Sequence, residues 1–219
     1  LIESKGGCLP LFFVNGKDMN KKNGIILGLI AIAVVFTIWW GWPRDRDVLN
    51  NSNQTNTATR ADCRGEEKAD VNYCAPNFTL NTLDGKKVEL YENGGKPTII
   101  NFWASWCPPC KKEMPLFEEA YKEYKDQVNF LMLNATAFDK EEQMQTYLKE
   151  GGFTFPVLLD PYQEQYVTVS QTIYSVLAFP TTFVIDEKGK IVYKHQGEMS
   201  SAVLDDVMDR LVNKKGFDS

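Results

Sequence analysis

Residues 101–115 of this 219-residue chain read NFWASWCPPCKKEMP, and this stretch restricts the possible folds more than any other. An apolar run, Thr98-Ile99-Ile100-Asn101-Phe102-Trp103, leads into it. The run is short and rich in β-branched and aromatic side chains, the composition of a buried strand. Good helix formers follow the second cysteine, from Lys111 to Met114 and again from Leu116 to Ala120. A strand therefore ends in a C-x-x-C pair that opens a helix. Cys107 is expected exposed at the helix lip, with Cys110 inside the first turn. A thiolate at that lip is stabilised by the macrodipole and by unpaired N–H groups, so its pKa falls below the ~8.5 of free cysteine. Thiol–disulfide exchange is the chemistry this favours. A zinc site would need two more ligands, and Cys8, Cys63, Cys74 and His195 stand in no zinc-like spacing. No metal or cofactor is expected.

The N-terminal part reads as an appendage. Residues 25–42, IILGLIAIAVVFTIWWGW, carry no charge from Ile25 to Trp42 and are long enough to span a bilayer core. Lys17, Lys21 and Lys22 precede them, which by the positive-inside rule orients residues 1–24 to the cytoplasm. Trp39, Trp40 and Trp42 gather at the far end, where amphipathic rings favour the membrane–water interface. A cleavable signal peptide wants small residues at its cleavage site, and WWGWP offers no such site, so an uncleaved anchor is expected. Met19, followed by Asn20-Lys21-Lys22, has the form of a natural start, and Cys8 is then incidental. Residues 43–62 are polar, rich in Asn and Thr, and too poor in apolar side chains to offset ordering entropy. They read as a flexible tether, leaving residues 63–219 as an extracytoplasmic domain. The net charge of −5, with no basic cluster beyond short lysine pairs, argues against nucleic acid as a partner.

Within that domain, Cys63 and Cys74 bracket a charged loop. They read as a local structural disulfide in an oxidising compartment, as two free thiols, or as a second redox pair; spacing alone does not show how closely their Cα atoms approach. Residues 75–90 read as a β-hairpin, because Asp84-Gly85 is a strong turn signal between alternating apolar positions. Residues 128–133 form a second buried strand, and residues 140–150 a helix with Met144, Tyr147 and Leu148 on one face, closing at Gly151-Gly152. A short strand over 153–159 and a helix over 163–175 follow. Pro180 opens a β-branched run and so belongs at a strand start or edge. A turn at residues 187–190, a strand from Ile191, and a helix capped by Ser200 complete an α/β pattern. His195 is expected at a strand end, away from the dithiol and without chemistry.

WCPPCK after NFWAS, with Pro115 five residues beyond Cys110, resembles the thioredoxin superfamily. Within it, the sequence is most similar to the membrane-anchored TlpA/ResA-like thiol-disulfide oxidoreductases of bacteria, from about Ala75 to the C-terminus. The resemblance implies a thioredoxin-like α/β/α sandwich with an N-terminal β-hairpin and a helix–strand insert, preceded by one transmembrane helix. It implies Cys107 as nucleophile, Cys110 as resolving thiol, Pro180 in a cis bond facing the dithiol, and a helix kinked at Pro115. A carboxylate at the position of Glu113 assists proton transfer at the resolving cysteine in ResA-like proteins. By spacing alone, Glu113 reads as a solvated helix glutamate beside two lysines. Thioredoxin carries a buried Asp where this chain has Asn101, which leaves Glu113 as the remaining base. The opening APNFTL is also similar to peroxiredoxins, but their T-x-x-C site is replaced here by WCPPC. The partners implied are protein disulfides, among them apocytochrome c haem sites and spore-envelope proteins, and a membrane thiol donor that re-reduces the dithiol. A DsbA-like oxidase of exported proteins is the alternative. Pro108 and Pro109 offer no N–H to the Cys107 sulfur, leaving those of Cys110 and Lys111, and this favours the reductant.

Overall fold

The computed structural model describes residues 61–217. The anchor expected over residues 25–42, Met19 and residues 43–60 of the tether lie outside the described residues. The end of the expected tether is corrected: Ala61 is buried in the core, and its N–H donates to the Tyr91 carbonyl at 2.8 Å.

Seven strands form one sheet: β1 (Thr79–Thr82), β2 (Lys87–Glu89), β3 (Thr98–Trp103), β4 (Asn129–Asn134), β5 (Val157–Leu159), β6 (Thr181–Ile185) and β7 (Ile191–Gln196). Their spatial order is β2-β1-β5-β4-β3-β6-β7. The helices are α1 (Pro108–Tyr124), α2 (Glu141–Gly151) and α3 (Ser201–Val212). The expected hairpin is present, with Thr79 opposite Glu89 and Gly85 at φ +83° in the turn, a conformation glycine adopts without Cβ strain. At the centre, β3 pairs in parallel with β4 and antiparallel with β6. All six residues of β3 are buried, so the strand that ends in the dithiol is covered on both faces.

Side-chain parity sorts the core into two clusters. Ile99 and Trp103 of β3, Phe130 and Met132 of β4, and Val184 of β6 pack with Met114 and Phe117 of α1, Met144 of α2 and Leu204 of α3. Ile100, Phe102, Leu131, Leu133 and Phe183 face the other way, against Ala75, Phe78, Tyr91, Val169 and Tyr174. The α/β fold expected from the sequence is thus present, but among the described residues its second outer layer holds no α-helix. Residues 61–78, the N-terminal strap, fill it together with the turn at residues 169–173.

Those residues correct the expected helix over 163–175. The structure has a 3-10 turn at Glu164–Tyr166 and a single π turn at Val169–Ile173. Gln165 and Tyr166 both have positive φ, near +60°, which breaks a right-handed helix. The carboxylate of Asp160, itself fully buried, accepts the Val169 N–H at 2.7 Å and the Ser170 N–H at 2.8 Å. It thereby restarts the turn later in the chain.

Cys63 and Cys74 are joined in a disulfide with Cα atoms 5.7 Å apart. Cys74 bridges to Lys190 in the turn between β6 and β7. That turn lies at the Thr98 end of β3, because Thr98 pairs with Ile185. The bridge therefore sits at the pole of the sheet opposite the dithiol.

Candidate active site

The dithiol sits where β3 hands over to α1. Cys107 is the N-cap of α1, with extended backbone (φ −87°, ψ 109°), and Pro108 and Pro109 fill the first two helical positions. Proline is tolerated there because N–H groups at a helix start have no intrahelical partner. Cys107 and Cys110 are bridged, with Cα atoms 5.3 Å apart. The Cys110 N–H donates to Cys107 Sγ at 3.2 Å. The Lys111 N–H, expected to help, instead donates to the Cys107 carbonyl at 3.1 Å, so one backbone donor reaches the sulfur. Cys107 is also not exposed as expected: only 2% of its surface is accessible. Bridged into the first turn, the residue joins the core cluster beside Ala104 and Met114. Exposure at the lip belongs instead to Trp106, at 53%.

Glu113 is fully buried, not on a solvated face. The parity that points Ile99 and Trp103 toward α1 points Asn101 the same way, and Thr182 of β6 lies opposite Asn101 in register. Asn101 Nδ2 donates to Glu113 Oε1 at 2.7 Å and to Thr182 Oγ1 at 3.0 Å. The Met199 N–H donates to Glu113 Oε2 at 2.8 Å. Burial raises the carboxyl to about 7, because two hydrogen bonds to the charged form offset desolvation only in part. Asn101 Oδ1 is buried without a partner. The site thus holds a carboxyl poised near neutrality one turn along α1 from Cys110.

Pro115 lies within α1 and has no N–H, so the Lys111 carbonyl lacks its usual helical donor. The Tyr147 hydroxyl of α2 donates to that carbonyl at 3.2 Å, and Lys111 Nζ lies 5.1 Å from the Tyr147 ring centroid. Desolvation pushes the Tyr147 hydroxyl up to about 12, which keeps it a donor. The helix runs on to Tyr124 as one element.

Pro180 is buried and follows Phe179 through a cis peptide bond. Thr181 is opposite Phe102, which sets Pro180 level with the end of β3 from which the chain runs to Cys107. The Phe179 ring lies 6.1 Å from that of Trp106. His195 stands at the end of β7, as expected, where it pairs with Thr182, level with Asn101 and two strands across. Its ring is half-buried and lies within 3.4 Å of the Tyr193 hydroxyl and 3.3 Å of the Glu198 carbonyl.

One positioning residue has no sequence signal. Asp139, in the loop between β4 and α2, accepts from the Ser105 N–H at 2.5 Å, Ser105 Oγ at 2.6 Å and Asn134 Nδ2 at 2.8 Å. Trp106 Nε1 donates to the Phe138 carbonyl at 2.9 Å. Together these fasten the Ala104–Cys107 segment to the neighbouring loop. No motif surrounds Asp139, since its partners lie 34 residues earlier and 5 residues earlier.

A dithiol that caps a helix, bridges across two residues and has a near-neutral carboxyl behind it can exchange two electrons with another disulfide. The fold and site define a thiol-disulfide oxidoreductase of thioredoxin type. The chain belongs to the AhpC/TSA family, whose model matches residues 71–194, and within it to the ResA-like oxidoreductases. It is 36% identical over 188 residues to the thiol-disulfide oxidoreductase ResA of Bacillus cereus, covering 85% of this chain and 93% of that one. Against the thioredoxin-like protein YneN of Bacillus subtilis it is 38% identical over 136 residues, covering 62% of this chain and 76% of the relative. Among solved structures, that of StoA from Bacillus subtilis superposes with a TM-score of 0.51 at 32% identity, covering 60% of this chain and 95% of StoA.

Proposed function

We propose that this enzyme is a membrane-tethered reductant of protein disulfides on the extracytoplasmic side of a bacterial membrane. Cys107 is its nucleophile, Cys110 its resolving thiol and Glu113 its proton acceptor. The Cys107 thiolate attacks one sulfur of the substrate disulfide, whose S–S bond breaks, and the departing sulfur takes up a proton. Glu113 accepts the Cys110 thiol proton. The Cys110 sulfur then attacks Cys107 Sγ and expels the second substrate sulfur as a thiol. Two electrons pass to the substrate and the enzyme is left as the Cys107–Cys110 disulfide. A membrane dithiol donor reverses that last oxidation. Pro180 is assigned a place facing the dithiol by the family resemblance, and its cis-bonded neighbour Phe179 packs against Trp106. Apocytochrome c haem sites and spore-envelope proteins are the substrate classes proposed, following the family resemblance.

The observation that carries the direction is that, among the described residues, a single N–H reaches Cys107 Sγ. With prolines at the first two helical positions, the thiolate is weakly stabilised, and a weakly stabilised thiolate makes the reduced enzyme the better donor. Equilibrating the domain with dithiothreitol or glutathione buffers tests this. The expected potential lies nearer the ~−270 mV of thioredoxin than the ~−120 mV of DsbA. A value at the DsbA end would turn the enzyme into an oxidase of exported proteins. Substrates are identified by trapping, since Cys110→Ala cannot resolve mixed disulfides formed at Cys107.

A further inference from the structure

We propose that Tyr162 and Tyr166 extend the dithiol surface into an aromatic ridge that grips extended, apolar polypeptide flanking the substrate's disulfide. This rests on the reductase reading above and adds a specificity to it. The strands β3, β4 and β5 are parallel, so the loops that leave them emerge at one end of the sheet, the end that carries the dithiol. From Phe179 beside the cis bond, ring contacts lead to Trp106, whose indole is bonded to the backbone of Phe138. Phe138 meets Tyr162 at 5.4 Å between centroids, and Tyr162 meets Tyr166 at 5.8 Å. A row of aromatic side chains thus runs from the Trp106 lip to a tip beyond β5, joined at Phe138 by a backbone hydrogen bond and beyond it by ring contacts.

Three features set this line apart from leftover surface. It is exposed where it matters: Trp106 53%, Tyr162 49%, Tyr166 82%. Large apolar groups in water mark contact sites when they are contiguous, whereas scattered ones mean little. Its tip is also held in a costly conformation, since Tyr166 has φ +61°, a region bulky side chains avoid. Finally it is fixed in place. The Gln163 N–H donates to the Val167 carbonyl at 2.8 Å, closing the tip. The Asp160 N–H donates to the Asn134 carbonyl at 3.1 Å, and the Ala137 N–H to the Asp160 carbonyl at 3.0 Å, tying its base to the loop that holds Trp106. A rigid aromatic ledge loses little entropy on binding, and tyrosine suits backbone and apolar side chains alike. The occupant follows from continuity with the dithiol. Any protein disulfide that reaches Cys107 carries flanking chain across this end of the sheet, and a flank that is extended and apolar matches the ledge.

Pre-reduced full-length enzyme should be mixed with two synthetic disulfide peptides, one flanked by Leu and Phe and one by Ser and Gly. Hydroxyethyl disulfide serves as a small reference substrate. The wild type should react with the apolar-flanked peptide about tenfold faster than with the polar one, as expected when one or two aromatic anchors each contribute to docking. Tyr162→Ala/Tyr166→Ala should erase that preference and leave the hydroxyethyl disulfide rate unchanged. Tyr166→Ala alone, at a side chain too exposed to support the fold, should remove part of it. A wild type indifferent to the flanks, or variants that keep the preference, would overturn the ridge. A wild type that reduces the small disulfide but neither peptide would overturn it too. An enzyme inert toward all three would instead refute the reductase reading on which the ridge depends.

Discussion

At the scale of single residues, two buried carboxylates in α1 show how environment divides identical chemistry. Glu118 loses solvation, yet hydrogen bonds from Thr154 and an ion pair with Lys122 at 3.1 Å outweigh that loss, and its pKa is lowered. Among the described residues no cation pairs with Glu113, so desolvation prevails and its pKa rises to about 7. The two therefore act oppositely on stability. The folded state holds the Glu113 proton more tightly than the unfolded chain does. Its contribution is full below the ordinary value of 4.5 and is lost as pH rises through about 7. Glu113→Gln is expected to remove this dependence, because Asn101 can present its unpartnered Oδ1 to the new amide by flipping. Between pH 4.5 and 7.5 the variant should gain about 2–3 kcal/mol on the wild type in urea unfolding. Its rate of disulfide reduction should lose the inflection near pH 7. Parallel pH–stability curves for the two proteins, or an unchanged rate profile, would return Glu113 to a passive role.

At the scale of elements, α1 is secured to its surroundings at two places, in its first turn and near its middle. Near its start the Tyr147 hydroxyl serves the carbonyl that Pro115 leaves open. Further along, Glu118 accepts the Thr154 N–H at 2.7 Å, Thr154 Oγ1 at 2.6 Å and the Phe155 N–H at 3.3 Å, binding the helix to the approach to β5. Glu118→Ala leaves the buried Phe155 N–H and the more exposed Thr154 donors without their acceptor and should cost about 1–3 kcal/mol by denaturant melts. A loss under 0.5 kcal/mol would show that water replaces the carboxylate freely. The Cys63–Cys74 bridge closes a loop of sequence separation 11, for which chain entropy predicts somewhat under ~3 kcal/mol. Five strand steps separate its pole from the dithiol, on the order of 15–20 Å, too far for direct exchange. Replacing both residues by alanine should lower the melting temperature and leave reductase rates within twofold. Activity lost at unchanged stability would point to a redox relay.

At the scale of the whole molecule, the proposed arrangement places the catalytic domain outside the cytoplasm on an anchor at residues 25–42. Protease added to spheroplasts should degrade the domain and leave a short membrane-bound fragment, while lysis should be needed to cleave the N-terminal segment. A domain that survives until lysis would contradict the topology.

What could be read from the chain alone was local. The strand into Cys107, the two prolines behind it, the Asp84-Gly85 turn and the Ser200 cap each depend on neighbours a few residues away, and each is found where expected. The Cys63–Cys74 pairing stayed open at that level, because only the approach of the β6–β7 turn settles how the strap lies. The helix expected over 163–175 failed because Asp160 captures two N–H groups that a helix would have used, an effect no propensity contains. The burial of Glu113 depends on Asn101 and Thr182, which strand pairing brings together across 81 residues, and on Met199, which lies 86 residues further along the chain. Hydrophobic period and turn chemistry are carried by adjacent residues, so the sequence by itself determined which segments became strands and where the dithiol would stand. Desolvation and register are set by what packs against a residue from elsewhere, so only the tertiary structure decided that Cys107 is covered, that Glu113 is poised near neutrality and that Asp139 fastens the Ala104–Cys107 segment.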